Sequence, residues 1–131
     1  MFDQYNSSKN NHLRIPKKAN GDTYKLKDLN EEQFQIAYII LSKIREWLDL
    51  QESKKREKNY FIPLCMTVLG CGGTGQSVLI NTLVTCIRTI FQDNNSVFVT
   101  APTRVAAYNV GGSTIHKEFK VGVKDVPTEN N

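Results

Sequence analysis

The first half of the chain carries apolar residues at the spacing of an amphipathic helix. They recur three or four positions apart between residues 34 and 48, which places them on one side of a helix. Asn30 can cap this helix, and the two glutamates after it suit a positively polarised first turn. We therefore predict a helix over residues 31–50. Trp47 and two isoleucines widen its apolar side, so we expect this helix to pack between two layers.

Two short apolar runs flank a second helical pattern. Residues 64–69 are almost wholly apolar and lie between Pro63 and Gly70, which is typical of a strand buried on both faces of a parallel sheet. Residues 97–101 have the same character. Between these runs, apolar residues at helical spacing predict a helix over residues 78–91. Strand, helix and strand together predict one right-handed βαβ unit of an α/β fold.

The chain after residue 101 is rich in short polar turns. Residues 105–108 can form a short helix that Gly111 and Gly112 end, and Ser113 can cap a further helical turn through residues 114–119. Two parallel strands are predicted in all, and a parallel pair seldom forms a stable sheet by itself. We therefore expect the chain to be the opening piece of a larger α/β domain.

Composition limits the class of protein without naming a function. The 131 residues carry a net charge of +4, which permits a polyanionic partner without requiring one. The three cysteines form no CxxC pair, so neither a disulfide framework nor a zinc site is indicated. No stretch is apolar enough to span a membrane, and the N-terminus lacks the order of a signal peptide. We expect a nuclear or cytoplasmic protein that is neither secreted nor membrane-bound.

A glycine-rich loop follows the first predicted strand. Gly70, Gly75 and Ser77 fit the pattern G-x-x-x-x-G-K-[ST], in which backbone N–H groups converge on phosphate oxygens. The order of strand, loop and helix places these N–H groups at a helix N-terminus, where anions bind. Gln76 stands where the pattern has lysine. The alternative interpretation is a glycine turn of purely structural use.

The glutamine at position 76 affects nucleotide binding and hydrolysis differently. A glutamine donates a neutral hydrogen bond but lacks the positive charge that stabilises phosphoryl transfer. Loss of one preorganised donor costs about 3–4 kcal/mol of transition-state stabilisation. The backbone amides and the Ser77 hydroxyl are unaffected by the exchange, so we expect hydrolysis to suffer more than binding.

Residues 29–33, 70–77 and 99–116 form three motifs in order along the chain. They resemble the first motifs of the Pif-type DNA helicases, in the form found in Helitron transposons and their cellular relatives. The resemblance implies a P-loop NTPase with a RecA-like parallel sheet, here an incomplete first motor domain over residues 28–124. A flexible polar and basic arm (1–27) and a polar tail (125–131) flank it. The resemblance further implies an ATP-driven motor that moves 5′ to 3′ on single-stranded DNA, with repair, recombination, telomere maintenance and transposition as open roles.

The same resemblance implies roles for individual residues. It assigns adenine recognition to Gln33, Mg²⁺ binding to the Ser77 hydroxyl, and the phosphates of ATP to the glycine loop. The loop residues are Gly70, Cys71, Gly72, Gly73, Thr74, Gly75, Gln76 and Ser77. The residues implied to lie along the DNA strand are Thr103, Arg104, Asn109, Ser113, Thr114 and His116.

Several of these residues have an alternative role. Gln33 can complete a capping box at the start of the first helix instead of reading adenine. Thr103 and Ser113 can contact DNA phosphates or cap helices, and Tyr108 can stack on a base or fill the core. Arg104 replaces a glycine that is usual in the family, so it can add a phosphate contact or obstruct the path of the DNA.

Motifs that the family places later in its motor are not found in the sequence, including the acidic strand end for Mg²⁺ and water. Whether the chain is an enzyme is therefore open. We expect it to bind nucleotide weakly at most and not to unwind DNA alone, with the remainder of the motor missing. A non-catalytic single-stranded DNA-binding module is a second hypothesis, based on the basic arm and Arg104. A decayed transposon-derived product without function, or an incomplete gene model, is a third.

Overall fold

Two long helices carry most of the regular structure of the protein. The computed structural model describes residues 13–52, 61–70 and 75–120. The helices and strands within these ranges are α1 (Glu31–Glu52), α2 (Gln76–Phe91), β1 (Thr100–Ala101), α3 (Arg104–Asn109), β2 (Ser113–Thr114) and α4 (Ile115–Phe119). Helices around a small parallel sheet agree with the α/β class that the sequence predicts. No helix in these ranges is long and apolar enough to cross a lipid bilayer.

Helix α1 begins where the sequence predicts and ends two residues later than predicted. A capping box fixes its start, because Asn30 Oδ1 accepts from the N–H of Gln33 (2.9 Å) and Gln33 Oε1 accepts from the N–H of Asn30 (3.0 Å). Ala37 is its buried residue, and the Trp47 ring packs edge-on against Phe91 of α2 with centroids 6.1 Å apart. In the described part of the chain, α1 therefore does not pack between two layers as expected.

Helix α2 confirms the predicted second helix and begins two residues earlier. Gly75 precedes it in the left-handed conformation (φ +80°), and Gln92 ends it in the same conformation with its N–H bonded to the carbonyl of Arg88. Leu79 and Val84 are buried, as is Thr82, whose hydroxyl donates to the Val78 carbonyl at 2.7 Å. The apolar side of α2 thus forms the centre of the small core.

The predicted strand over residues 64–69 is wrong, and with it the βαβ unit. Residues 61–70 have no regular secondary structure, residues 62–70 are exposed, and Leu69 is 90% exposed. A strand requires a neighbour to satisfy its N–H and C=O groups, and no described strand lies beside this segment. An apolar run indicates suitability for burial, but it does not supply the partner.

The small sheet pairs two other segments in parallel. Thr100 lies opposite Ser113 and Ala101 opposite Thr114, so the strand predicted over residues 97–101 is reduced to its last two residues. Helix α3 forms the connection, and its predicted position between residue 101 and the two glycines is confirmed. Ser113 is part of β2 and does not cap a helix, which corrects the sequence prediction; Thr114 caps α4 instead.

The described part of the N-terminal stretch is more ordered than its composition indicates. Lys17 and Thr23 form an antiparallel bridge around a turn, and the Lys18 ammonium lies 2.7 Å from the Asp28 carboxylate. The hydrogen bond from Lys18 is the main reason that the pKa of Asp28 is lowered. The rest of the predicted arm and the whole predicted tail over 125–131 lie outside the described residues.

Candidate functional site

A pocket of about 220 Å³ lies where the start of α1, the end of segment 61–70 and the start of α2 meet. It brings together three residues that the sequence predicts to bind nucleotide: Gln33, Gly70 and Gln76. Its apolar lining includes Ile36, Leu69 and Leu79. The lining is therefore partly apolar and also includes two side-chain amides and a glycine.

The Gln33 side chain joins two elements at this pocket. Its Oε1 accepts from the N–H of Asn30, which completes the capping box, while its Nε2 donates to the carbonyl of Gly75 at 3.0 Å. Both ends of the amide are thus bonded to protein groups. The capping role that the sequence left open is present, and the bond to Gly75 is a second structural role that the sequence did not indicate.

Gly75 occupies a position that strongly favours glycine. Its φ is +80°, a conformation that L side chains rarely adopt. A Cβ at this position would lie 2.5 Å from Gln33 Nε2, well inside contact distance. The close approach of Gln33 and the entry into α2 therefore both depend on the missing side chain.

Gln76 and Ser77 begin α2 beside the pocket. Gln76 Nε2 lies 3.5 Å from the Gly70 carbonyl, so this side chain reaches back across the loop to its other end in a long hydrogen bond. Ser77 is exposed, and the first turn of α2 contains no acidic residue. The positive end of the helix dipole is therefore not neutralised by its own side chains. The predicted loop residues Cys71, Gly72, Gly73 and Thr74 lie outside the described residues.

The hydroxyl groups of the predicted DNA-contact segment are already engaged, but in different ways. Thr103 Oγ1 accepts from the N–H of Ala106, and Thr114 Oγ1 accepts from the N–H of Lys117, each at 3.2 Å. A hydroxyl that accepts in a cap retains its own O–H for donation, so both threonines can still donate to a phosphate. Ser113 differs, because its hydroxyl donates to Glu118 Oε2 at 2.9 Å.

The other side chains of this segment point to solvent. Arg104, Asn109 and His116 are exposed, so each is accessible to a ligand. Tyr108 is 86% exposed, which excludes the alternative that it fills the core. Val105, three residues earlier on α3, is 74% exposed, and the two form an apolar strip beside Arg104.

Several pocket residues were not predicted from the sequence. Glu32 and Val68 line the pocket with Leu69 and Leu79, and no local pattern distinguishes them from other helix or strand residues. Glu32 lies within the 29–33 motif, which is the one signal that could have identified it. The others line the pocket because α1, α2 and segment 61–70 come together, and sequence spacing does not report such contacts.

Comparisons with known proteins identify one family. The family model described as PIF1-like helicase matches residues 49–130, which include the glycine loop and the 99–116 segment but not Gln33. The ATP-dependent DNA helicase PIF4 of Trypanosoma brucei brucei is 40% identical over 80 residues, which cover 60% of this chain and 9% of that protein. No solved structure shows significant similarity.

Two yeast relatives agree with this match. The Saccharomyces cerevisiae ATP-dependent DNA helicases RRM3 and PIF1 are 37% and 41% identical over 54 residues, or 41% of this chain. The chain spans less than a tenth of the length of any of these three relatives. The family model nevertheless covers well over half of the 131 residues, so the chain belongs to the PIF1-like helicase family.

Proposed function

We propose that this chain is a nucleotide-binding and single-stranded DNA-binding portion of a PIF1-like helicase, with a loop suited to hold ATP but poorly suited to hydrolyse it. The observation that carries the proposal is the pocket shared by Gln33, Gly70 and Gln76 at the start of α2, with a neutral amide in place of lysine. Membership of the PIF1-like helicase family supports it.

The nucleotide side of the proposal rests on the start of α2. The first N–H groups of this helix and its unneutralised dipole suit the phosphates of ATP. Ser77 is exposed in the first turn, where its hydroxyl would be a ligand for Mg²⁺. A bound Mg²⁺ neutralises phosphate charge, whereas Gln76 contributes a neutral donor alone. Binding then depends on the backbone, and hydrolysis lacks the lysine charge.

The role of Gln33 in nucleotide binding follows from its bonds. For this amide to recognise adenine, Nε2 would have to release the Gly75 carbonyl, or donate one hydrogen atom to that carbonyl and the other to the base. In the arrangement observed here, Gln33 holds the start of α1 to the last residue of the loop. We propose that Gln33 holds Gly75 in position. Contact with adenine is the alternative role, in which the Gln33 side chain rearranges.

The DNA side of the proposal rests on α3 and the turn after it. Thr103 and Thr114 retain hydroxyl donors for phosphate oxygens, and Arg104 adds an exposed positive charge. Tyr108 offers an exposed ring next to that charge, a combination suited to a stacked base. Asn109, at the end of α3, and His116, in α4, add two more exposed polar side chains.

Titration with ATP and Mg²⁺ by calorimetry tests the nucleotide side. We expect weak binding by the natural chain and about tenfold tighter binding by Gln76→Lys, because a charged donor to phosphate is about twice as strong as a neutral one. Gln51→Lys adds the same charge at the exposed end of α1 and is the matched control. Equal tightening by both variants, or no binding by either, would contradict the proposal.

A non-catalytic single-stranded DNA-binding module is the second candidate, favoured by the exposed Arg104 and Tyr108. Fluorescence anisotropy with a labelled oligo(dT) strand separates the two. DNA binding that Arg104→Ala weakens, without any ATP binding, would select this second candidate. Binding of neither ligand would leave a decayed product as the remaining explanation.

A further inference from the structure

A second cleft, of about 310 Å³ and polar in character, lies away from the glycine loop at the other end of α2. It is enclosed by the N-terminal segment, the end of α2 with the turn after it, and the connection into β2. Its charged lining residues are Arg14, Arg88, Lys117 and Glu118. Arg14 precedes the part of the chain that the family model matches.

Arg88 builds one wall of the cleft. Its Nη1 donates to the Arg14 carbonyl at 2.7 Å and its Nε donates to the Asn94 carbonyl at 3.2 Å, so it fastens the N-terminal segment to the end of α2. Partial burial lowers the pKa of Arg88, and the nearby charge of Arg14 lowers it further. The hydrogen bond to the Arg14 carbonyl thus places two positively charged residues next to each other in the lining of the cleft.

The positive charge of the cleft is not balanced by its own carboxylate. Glu118 accepts the Ser113 hydroxyl, and among the described residues no carboxylate lies within 4.0 Å of Arg14, Arg88 or Lys117. Three cations thus face one carboxylate in a concave site. Such a site attracts an anion, which relieves the repulsion between the arginines.

An aromatic side chain in the lining indicates which class of anion the cleft can bind. Phe98 lines the cleft and is 61% exposed, although it lies in an apolar run that favours burial. The backbone of Gly111 and Gly112 forms part of the same lining. An exposed ring next to phosphate-binding cations is the combination that single-stranded nucleic acids use, with the base on the ring and the phosphate on the cations.

We propose that this cleft binds one nucleotide unit of single-stranded DNA, with its phosphate on Arg14 and Lys117 and its base stacked on Phe98. Arg88 is a positioning residue that holds the Arg14 segment in place. The proposal rests on the proposed DNA-binding function and extends it, because Ser113 lies both in the cleft and in the 99–116 segment. Bound DNA would then extend from α3 to the C-terminal end of α2.

Anisotropy titrations of a labelled oligo(dT) strand over a range of salt concentrations test this assignment on the full 131-residue chain. For the double variant Arg14→Ala, Lys117→Ala, we expect weaker binding and a salt slope smaller by about 0.7 for each phosphate that is no longer neutralised. For Phe98→Leu, we expect about tenfold weaker binding with the slope unchanged, and Phe98→Trp should retain binding. Far-UV circular dichroism verifies that each variant is folded.

Arg45→Ala is the matched control, since it removes one exposed positive charge from α1, which does not line the cleft. The double variant removes two positive charges and Arg45→Ala removes one. If the change in affinity and in salt slope for each charge removed is no larger in the double variant, the cleft assignment is wrong, while DNA binding by the chain stands. If the natural chain binds no oligo(dT) at low salt, the cleft assignment and the DNA side of the proposed function both fail. Saturation of the cleft by inorganic phosphate with no effect of Phe98→Leu on DNA would indicate a small-anion site instead and overturn the assignment.

Discussion

Gln33 Nε2 and the Gly75 carbonyl oxygen lie 3.0 Å apart and join residues that are 42 positions apart in the chain. The same side chain caps α1 through its Oε1. One amide therefore fixes the start of α1 to Gly75, the residue directly before α2. This connection means that the stability of α1 and the position of Gly75 are coupled.

Replacement of Gln33 by glutamate separates the two roles of this side chain. The substituted side chain would keep a carboxylate oxygen for the Asn30 N–H, but it would lose the donor to Gly75 and place a negative charge beside that carbonyl. We expect Gln33→Glu to lower the free energy of unfolding by about 1 kcal/mol, measured by urea denaturation, with α1 intact by circular dichroism. Gln35→Glu makes the same change at an exposed position of α1 and should have little effect. Equal effects of the two would argue against the connection.

Alanine at position 75 tests the close approach of Gln33. Gly75→Ala forces a Cβ into the left-handed conformation and against Gln33 Nε2, so we expect a loss of about 2–3 kcal/mol in the free energy of unfolding. Gly21 has a similar φ of +87°, but a Cβ there would have nothing within 4 Å. Gly21→Ala should therefore lower the free energy of unfolding only through the strained backbone conformation, by about 1–2 kcal/mol. In a Gln33→Ala background the difference should shrink. A difference that persists there would show that Gln33 is not the group displaced.

Gly112 provides a second test, at the small sheet. A Cβ on Gly112 would collide with the Val99 carbonyl oxygen, which accepts from the N–H of Ser113 at 3.0 Å. We expect Gly112→Ala to destabilise the chain by about 1–3 kcal/mol and to speed hydrogen exchange at the Ser113 amide. Gly111→Ala has open space around its Cβ, so its effect should be limited to backbone strain at φ +64°. Unchanged protection of Ser113 in Gly112→Ala would contradict the observed packing.

The N-terminal turn should respond to acid through Asp28. Its pKa lies below 3.8 in the folded chain, first because Lys18 hydrogen-bonds the carboxylate and then because the Lys25 N–H does. A lowered pKa stabilises the fold above the unfolded value, and this contribution is lost as the pH falls through the folded pKa. We expect an NMR titration of the Asp28 carboxyl carbon to have its midpoint below 3.8, and Lys18→Ala to raise it. Lys17→Ala should leave the midpoint unchanged, and a natural midpoint at or above 3.8 would refute the assignment.

The parts of the fold that were predicted correctly depend on local chemistry. Helix α1 starts at its capping box, and α2 ends at the polar turn after Phe91, because caps and helical periodicity involve residues within about one turn of each other. The bonds between Asn30 and Gln33 follow from their spacing in the same way. The loop pattern also contains Gly75, but its left-handed conformation is a finding of the structure.

The sequence by itself thus determined the helices, the capping box of α1 and the family of this protein. Tertiary structure alone decided that residues 64–69 form no strand, that β1 pairs with Ser113–Thr114, and that Tyr108 faces solvent. It also decided that Gln33 reaches Gly75 and that Arg14 meets Arg88. The physical reason is that strand pairing, burial and charge repulsion depend on groups distant in the chain, whose approach no local pattern of residues specifies.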